Sequence, residues 1–425
     1  IYIYMKVGII GSGGREHAIC QSLIKSPKVK KIYCFPGNAG TSEIAENIEI
    51  DISNFNKIKK FSVVNNINLI IVGPEKPLVD GIVDFFKDTN ISVFGPDKIS
   101  SQLEGSKIFT KKICDEYKIP TAKFGIFENL NDAIAFLDRA KFPLVVKADG
   151  LASGKGVYIC EEKNNAHVAI KEIFTGKFGE AKIVLIEEFL KGEEMSYFVI
   201  SDGKEIKSFE TAQDHKRVLE GDKGANTGGM GAYSPSRLIN QILEEKILSK
   251  IIKPTIKALH KMGSSYKGFL YAGLMIVDGE PYLIEYNVRM GDPECQTILP
   301  KLETDLLDIF IACCNGELDK IKLNWRKEKS LCIVVCSNGY PENFNKEILI
   351  ENINKINLKN NEHCFHAGTK KIKNKIYASG GRVLNFVSLS NSFKESRNRL
   401  NNLIQQLDWK GGFYRKDIGF KVIDE

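Results

Sequence analysis

Residues 144–157 read Leu144-Val145-Val146-Lys147-Ala148-Asp149-Gly150-Leu151-Ala152-Ser153-Gly154-Lys155-Gly156-Val157. An apolar run ends in a lysine, a glycine-rich turn follows, and Val157 opens a second apolar run. A Walker loop would hold one residue more between its glycines and would place Ser or Thr after the lysine. Here Gly150 and Gly154 are too close and Gly156 follows Lys155. The loop is a different phosphate device, set between two strands. Beside it, Lys147 reads as a fixed cation aimed at phosphate rather than as a snorkelling edge residue.

Downstream, Tyr282-Leu283-Ile284-Glu285-Tyr286-Asn287-Val288-Arg289 follows Asp278-Gly279, a strong hairpin signal, and Asp202-Gly203 sits in the same way between alternating runs. Antiparallel sheet is expected in the middle of the chain. A period of two puts Leu283, Glu285, Asn287 and Arg289 on one face. A carboxylate, an amide oxygen and a guanidinium there suit a hard cation such as Mg²⁺ and a phosphate. Gly291-Asp292-Pro293-Glu294 then turns the chain and adds two acids.

Upstream, from Lys6 to about Glu104, strand-like runs (Val7 to Ile10, Ile32 to Phe35, Leu69 to Val72, Val93-Phe94) alternate with helix-like runs (Glu16 to Ile24, Leu78 to Phe86). This spacing predicts a doubly wound parallel sheet. Gly11-Ser12-Gly13-Gly14 precedes a helix and offers free backbone N–H groups at its positive end, with Arg15 beside them. Glu16 occupies the position where a dinucleotide fingerprint needs glycine, and Phe35-Pro36-Gly37-Asn38 supplies no ribose-binding acid. An NAD enzyme is therefore disfavoured. The stretch from Leu144 to Phe189, with a helix over Ala166 to Phe174, repeats the alternation and is long enough for a small lobe. Beyond Glu328, Leu331 to Cys336 and a helix over Phe393 to Leu407 precede Gly411-Gly412.

The 425 residues point to roughly three domains at about 150 residues each. With 43% apolar and 27% charged residues, disorder and fibrous structure are excluded. No uninterrupted apolar run is long enough to span a membrane. The +7 charge is spread over scattered lysines, so nucleic acid is not expected as a partner. Ten cysteines without a C-x-x-C pair read as reduced, mostly buried thiols of a cytoplasmic protein. The apolar start runs straight into the glycine loop and reads as a strand, not a signal peptide; Met5 reads as the natural start, with Ile1 to Tyr4 upstream of it.

The string of motifs resembles the ATP-grasp ligases and, over nearly the whole chain from Met5, the glycinamide ribonucleotide synthetase (phosphoribosylamine–glycine ligase) family. The matching stretches include GSGGREHA at 11–18, PGNAGT at 36–41, IVGPEKPLV at 71–79, QLEGSK at 102–107, VVKADGLASGKGV at 145–157, IEEFLKGEE at 186–194, QDHKR at 213–217, NTGGMGAYSP at 226–235, IEYNVRMGDPE at 284–294 and RKDIGF at 415–420. Ala225 stands where that pattern has proline, and Leu219 to Lys223 differs in local order. The resemblance implies an α/β and α+β protein with an N-terminal doubly wound domain (1–104). It further implies a two-lobed ATP-grasp centre (105–122 with 191–327, and a small lobe at 123–190) and a small C-terminal α/β domain (328–425).

The activity implied is ligation of glycine to 5-phospho-D-ribosylamine with ATP as the other substrate and one or two Mg²⁺ or Mn²⁺ ions. The resemblance places Lys107 and Lys147 on the ATP phosphates under a loop holding Gly150, Ser153, Gly154 and Gly156. Glu187, Glu188 and the Leu190 backbone fall to the adenine side, Glu194 to the ribose, and Glu285 and Asn287 to the metal. Gly13, Gly14, Arg15, Glu16, Glu75, Asp214, Arg289, Gly291 and Asp292 are the candidates for the other substrates, with Arg289, Lys147 and Asp214 catalytic. A monomer in the cytoplasm is expected. The rival readings are another ATP-grasp carboxylate–amine ligase or carboxylase, a Rossmann oxidoreductase, and a non-catalytic basic binding protein.

Overall fold

The N-terminal strands β1 (Met5–Gly11), β2 (Val29–Pro36), β3 (Glu46–Asn47), β4 (Leu69–Val72) and β5 (Ser92–Phe94) pair in parallel in the order β3-β2-β1-β4-β5. The chain therefore winds outward from β1 in both directions, as the alternation of short apolar runs and helices required. The run from Leu78 to Phe86, expected as one helix, is divided between Glu75–Val79 and Ile82–Phe85, because Gly81 between them takes φ +93°. This computed structural model describes residues 4–151, 156–179 and 183–424; Ser153 and Gly154 lie outside the described residues.

The next strands, β6 (Phe124–Phe127), β7 (Leu144–Ala148), β8 (Val157–Cys160) and β9 (Val184–Glu188), form a sheet in the order β6-β9-β7-β8. All its pairs are antiparallel, since the glycine loop reverses the chain between β7 and β8. Its core is its own: Leu144, Val146 and Ile186 from the strands meet Ala133, Ile170 and Ile173 from two helices.

A large sheet follows. Its strands are β10 (Glu193–Asp202), β11 (Ile206–Asp214), β14 (Gly231–Ser234), β15 (Lys267–Val277), β16 (Glu280–Asn287), β17 (Lys329–Ser337), β18 (Glu362–His366) and β19 (Arg382–Ser390). A separate two-stranded arm, β12 (Arg217–Leu219) and β13 (Lys223–Asn226), lies between β11 and β14. The large sheet runs in the order β16-β15-β10-β11-β14-β17-β19-β18, so β14 joins the centre of the chain to its C-terminal part. Both expected hairpins are present, β10–β11 and β15–β16; in the second, Asp278 (φ +50°) and Gly279 (φ +76°) supply the left-handed pair that a two-residue turn needs. The helix Phe393–Leu407 is as read from its periodicity.

The pairing of β15 with β16 corrects one expectation. Leu274 faces Leu283 but Gly273 faces Glu285, which leaves Ile284 as a bulge. The bulge reverses the alternation: Leu283 joins the core with Tyr286 and Val288, and does not share the face of Glu285 and Asn287. Arg289 lies past the end of the strand. Among the described residues no helix is long and apolar enough to cross a membrane.

Candidate active site

Antiparallel pairing sets Lys147 of β7 beside Glu187 of β9, and Lys111 reaches the same carboxylate from the helix Lys107–Tyr117. All three side chains are under a tenth exposed. Burial pushes the Glu187 carboxyl up, but Lys147 and Lys111 together outweigh it and hold it below the ordinary carboxylate range. Lys107, one helical turn before Lys111, donates to the Gly150 carbonyl at 2.8 Å. Asp149 accepts from Ser106 Oγ at 3.1 Å and from the Ile108 N–H at 3.3 Å, so the start of the glycine loop is bound to the start of that helix. At its other end the Gly156 carbonyl accepts from Ala148 N at 2.9 Å. Burial lowers the Lys107 ammonium, with Glu285 opposing.

Glu188 is exposed and accepts from Lys123 N at 2.9 Å, bracing β6; Leu190 follows half-buried. Glu194 pairs with Lys216 at 3.0 Å. Asp214, which closes β11, has its carboxyl raised by burial, with Lys216 opposing. Glu294 accepts from Tyr271 Oη at 3.2 Å and is pushed up to about 7 by burial and by Asp214. A Cβ on Gly291 would lie 2.2 Å from Glu294 Oε2, so any side chain there would displace the Glu294 carboxylate.

Arg289 binds Glu104 Oε1 at 2.6 Å and Glu75 Oε2 at 3.2 Å, and Glu104 in turn feels the charge of Glu285. Arg15 donates from Nε to Glu16 at 2.7 Å and from Nη1 to the Met290 carbonyl at 3.0 Å. The Gly13 N–H donates to Glu16 Oε2 at 2.7 Å and the Arg15 N–H to Asp292 Oδ2 at 3.3 Å. These bonds correct the reading of this loop as a row of free donors. Acids remote from, or three residues beyond, the loop already take two of its N–H groups. Gly14 packs so tightly that a Cβ would meet Asn385 and Gln296 at 2.4 and 2.5 Å.

Among the described residues no group of three or more His, Cys, Asp or Glu side chains is placed to hold a metal. The donor pair expected from the sequence is Glu285 with Asn287. Four acids of the site have cationic partners: Glu75 and Glu104 have Arg289, Glu187 has two lysines and Glu194 has Lys216. Glu285 makes no hydrogen bond or close ion pair with the described residues, although Lys107 and Lys216 both feel its charge, and across the strands it faces Gly273 while Asn287 faces Tyr271, so no second acid stands opposite. A carboxylate with no bonded cation, beside an amide oxygen, fits a hard cation that keeps most of its ligands from water and substrate.

Sequence reasoning missed Lys111, Glu104, Lys216 and Arg382. Lys111 had a signal, the i, i+4 spacing from Lys107 that puts both on one helix face. Arg382, which reaches Asp292 Oδ1 at 3.3 Å from β19, had none.

With this geometry in view, family models for phosphoribosylglycinamide synthetase match the chain in succession: the N domain over residues 5–104, the ATP-grasp (A) domain over 105–295 and the C domain over 330–421. The chain belongs to the phosphoribosylglycinamide synthetase family. It is an ATP-grasp ligase. A phosphoribosylamine–glycine ligase of Brucella melitensis is 43% identical over 421 residues, 99% of each chain. The crystal structure of a phosphoribosylamine–glycine ligase from Thermotoga maritima is 31% identical with a TM-score of 0.85, covering 98% of this synthetase and 100% of that chain. The biotin carboxylase domain of the Hydrogenobacter thermophilus 2-oxoglutarate carboxylase shares the fold at a TM-score of 0.72 and 15% identity, over 95% of this chain and 90% of that one.

Proposed function

We propose that this synthetase joins glycine to 5-phospho-D-ribosylamine to give glycinamide ribonucleotide, with ATP going to ADP and phosphate, as a step of purine biosynthesis. The observation that carries this reading is the full-length match to all three domain models of one family, over a chain whose lysines and acids gather around Glu187 and Glu285.

Glycine's carboxylate is a poor electrophile, and the amide forms only after one oxygen becomes a leaving group, as glycyl phosphate. That step brings two anions together, so cations must stand between them. Lys107 and Lys147 grip the ATP phosphates, and exclusion of water from this site protects the acyl phosphate. Glu187 and the Leu190 backbone meet the adenine, and Glu194 the ribose. Glu285 and Asn287 would hold one or two Mg²⁺ or Mn²⁺ ions, which when bound offset phosphate charge. Arg289 orients the glycine carboxylate. The phosphoribosylamine phosphate lies near Gly13, Gly14 and Arg15, with Glu16 and Asp292 setting that loop and Glu75 and Gly291 lining the approach. Asp214, its carboxyl raised by burial, takes the proton that the amine loses on attack.

The division at residues 104, 122, 190 and 327 belongs to the same reading and is supported by the separate core of β6–β9. We take the protein to act as a cytoplasmic monomer. An assay of ADP release with each substrate omitted in turn tests the function: release should require glycine and phosphoribosylamine together. Release driven by bicarbonate or formate in place of glycine would assign the chain to another ATP-grasp reaction.

A further inference from the structure

We infer that Lys111 is a positioning residue of the ATP site: it holds the Glu187 carboxylate so that Lys147 can turn from Glu187 to the nucleotide phosphates. The inference rests on the reading that Lys147 and Glu187 meet ATP. Two ammonium groups share one buried carboxylate, while Lys107, Asp149, Glu285 and Glu194 act on this cluster from farther off, so Glu187 can release one lysine to an arriving anion and keep the other. Without Lys111, Lys147 and Glu187 would form a neutral buried pair. Moving Lys147 onto a phosphate would then strand Glu187 as a lone buried carboxylate, the costly half of a broken pair. With Lys111 in place, Glu187 keeps a counter-charge wherever Lys147 points.

Lys111 is built to stay. Its Nζ donates to Thr121 Oγ1 at 2.6 Å, and the Thr121 hydroxyl donates to the Leu283 carbonyl of β16 at 2.7 Å. The ammonium also lies 5.3 Å from the centre of the Phe124 ring. Among the described residues Lys147 has Glu187 as its ion-pair partner and no comparable second anchor. One lysine is thus fixed through β16, the strand that carries Glu285, and the other is free to move.

The test compares wild type, Lys111→Met, Lys111→Arg, Glu187→Gln and the Lys111→Met/Glu187→Gln double variant, measuring calorimetric binding of a non-hydrolysable ATP analogue and steady-state kinetics against pH. Lys111→Met should raise KM for ATP and lower kcat by about tenfold or more each, the size of a lost charge-assisted bond, while KM for glycine stays within about twofold. Its acid limb of kcat/KM for ATP should move to higher pH, because Glu187 keeps only one counter-charge. Lys111→Arg should recover most of the loss. In the Glu187→Gln background, Lys111→Met should add little, since no carboxylate is left to hold. Unaltered kinetics of Lys111→Met, or a loss that adds in full to that of Glu187→Gln, would overturn the inference. Should Lys111→Met alone fail to fold, the double variant, in which no carboxylate needs a partner, and Lys111→Arg decide by the same criteria. Wild-type protein that binds no ATP analogue would overturn the nucleotide reading itself, and the inference with it.

Discussion

Glu285 makes no close ion pair with any described residue, though Lys107 and Lys216 feel its charge, and it is half-buried on the face shared with Asn287. Replacing it by glutamine removes the charge and keeps the shape. Turnover should fall by about two orders of magnitude or more, as for a lost partner of developing charge, while thermal unfolding stays near wild type because no ion pair is broken. Normal turnover of Glu285→Gln with full metal dependence would hand the ligand role to another acid, Glu294 first. The place of Glu285 beside Asn287 was legible in the sequence because the two stand two residues apart, both past the irregular point of the strand. Leu283 was misplaced because a bulge at Ile284 leaves no mark in the alternation. The engaged N–H group of Arg15 was hidden for a different reason: Asp292 reaches the loop from a remote part of the chain.

At the scale of elements, the arm β12–β13 leaves β11 directly after Asp214 and Lys216, and residues far along the chain hold both of its roots. Arg415, 1% exposed, donates to Asp222 at 2.9 Å, to the Arg217 carbonyl at 3.0 Å and to Asp417 at 2.7 Å. At the other root, Gly228 N donates to Tyr340 Oη at 3.0 Å and Arg382 donates to the Gly228 carbonyl at 2.8 Å. Arg415→Met leaves Asp222 and Asp417 without this partner, and since both acids are partly exposed the local cost should be about 1–2 kcal/mol, below that of a fully buried pair. Opening of the arm should then rise about tenfold. Limited trypsin digestion should cut correspondingly faster at Arg217 and Lys223, with fragments mapped by mass. An unchanged rate would mean the arm is held elsewhere. Hairpins at Asp202-Gly203 and Asp278-Gly279 could be read from two residues each; this clasp could not, because its partners lie almost two hundred residues apart.

Across the whole molecule, the helix Gly14–Leu23 meets β18, where His366 N donates to His17 Nδ1 at 2.8 Å and the two rings lie 5.7 Å apart. Burial, with His366 adding to it, lowers His17 to about 3, and burial lowers His366 to about 4 against the pull of Glu43. Both rings are neutral in the fold, whereas the unfolded chain takes up protons near 6.5. The unfolded state therefore binds more protons below that value, and stability should fall as pH drops from about 6.5 towards 4, on the order of 2 kcal/mol per ring. Denaturant midpoints measured across that range should show the decline, and His17→Asn should flatten it; an equally steep decline in the variant would remove this junction as its cause. The parallel N-terminal sheet was legible in its alternation of short apolar runs and helices. The single sheet running from β16 to β18 was not, because β14 pairs with β17 across about a hundred residues that carry no local signal.

The central claim is that glycine is activated through its own carboxylate and then taken by the amine of phosphoribosylamine. Glycine labelled with heavy oxygen in both carboxylate positions tests this directly, with the released inorganic phosphate analysed by mass spectrometry during turnover. The bridging oxygen of glycyl phosphate comes from glycine and leaves with the phosphate, so each phosphate released should carry one labelled atom. Unlabelled phosphate under full turnover, with the carboxylate oxygen lost instead to water, would contradict the account.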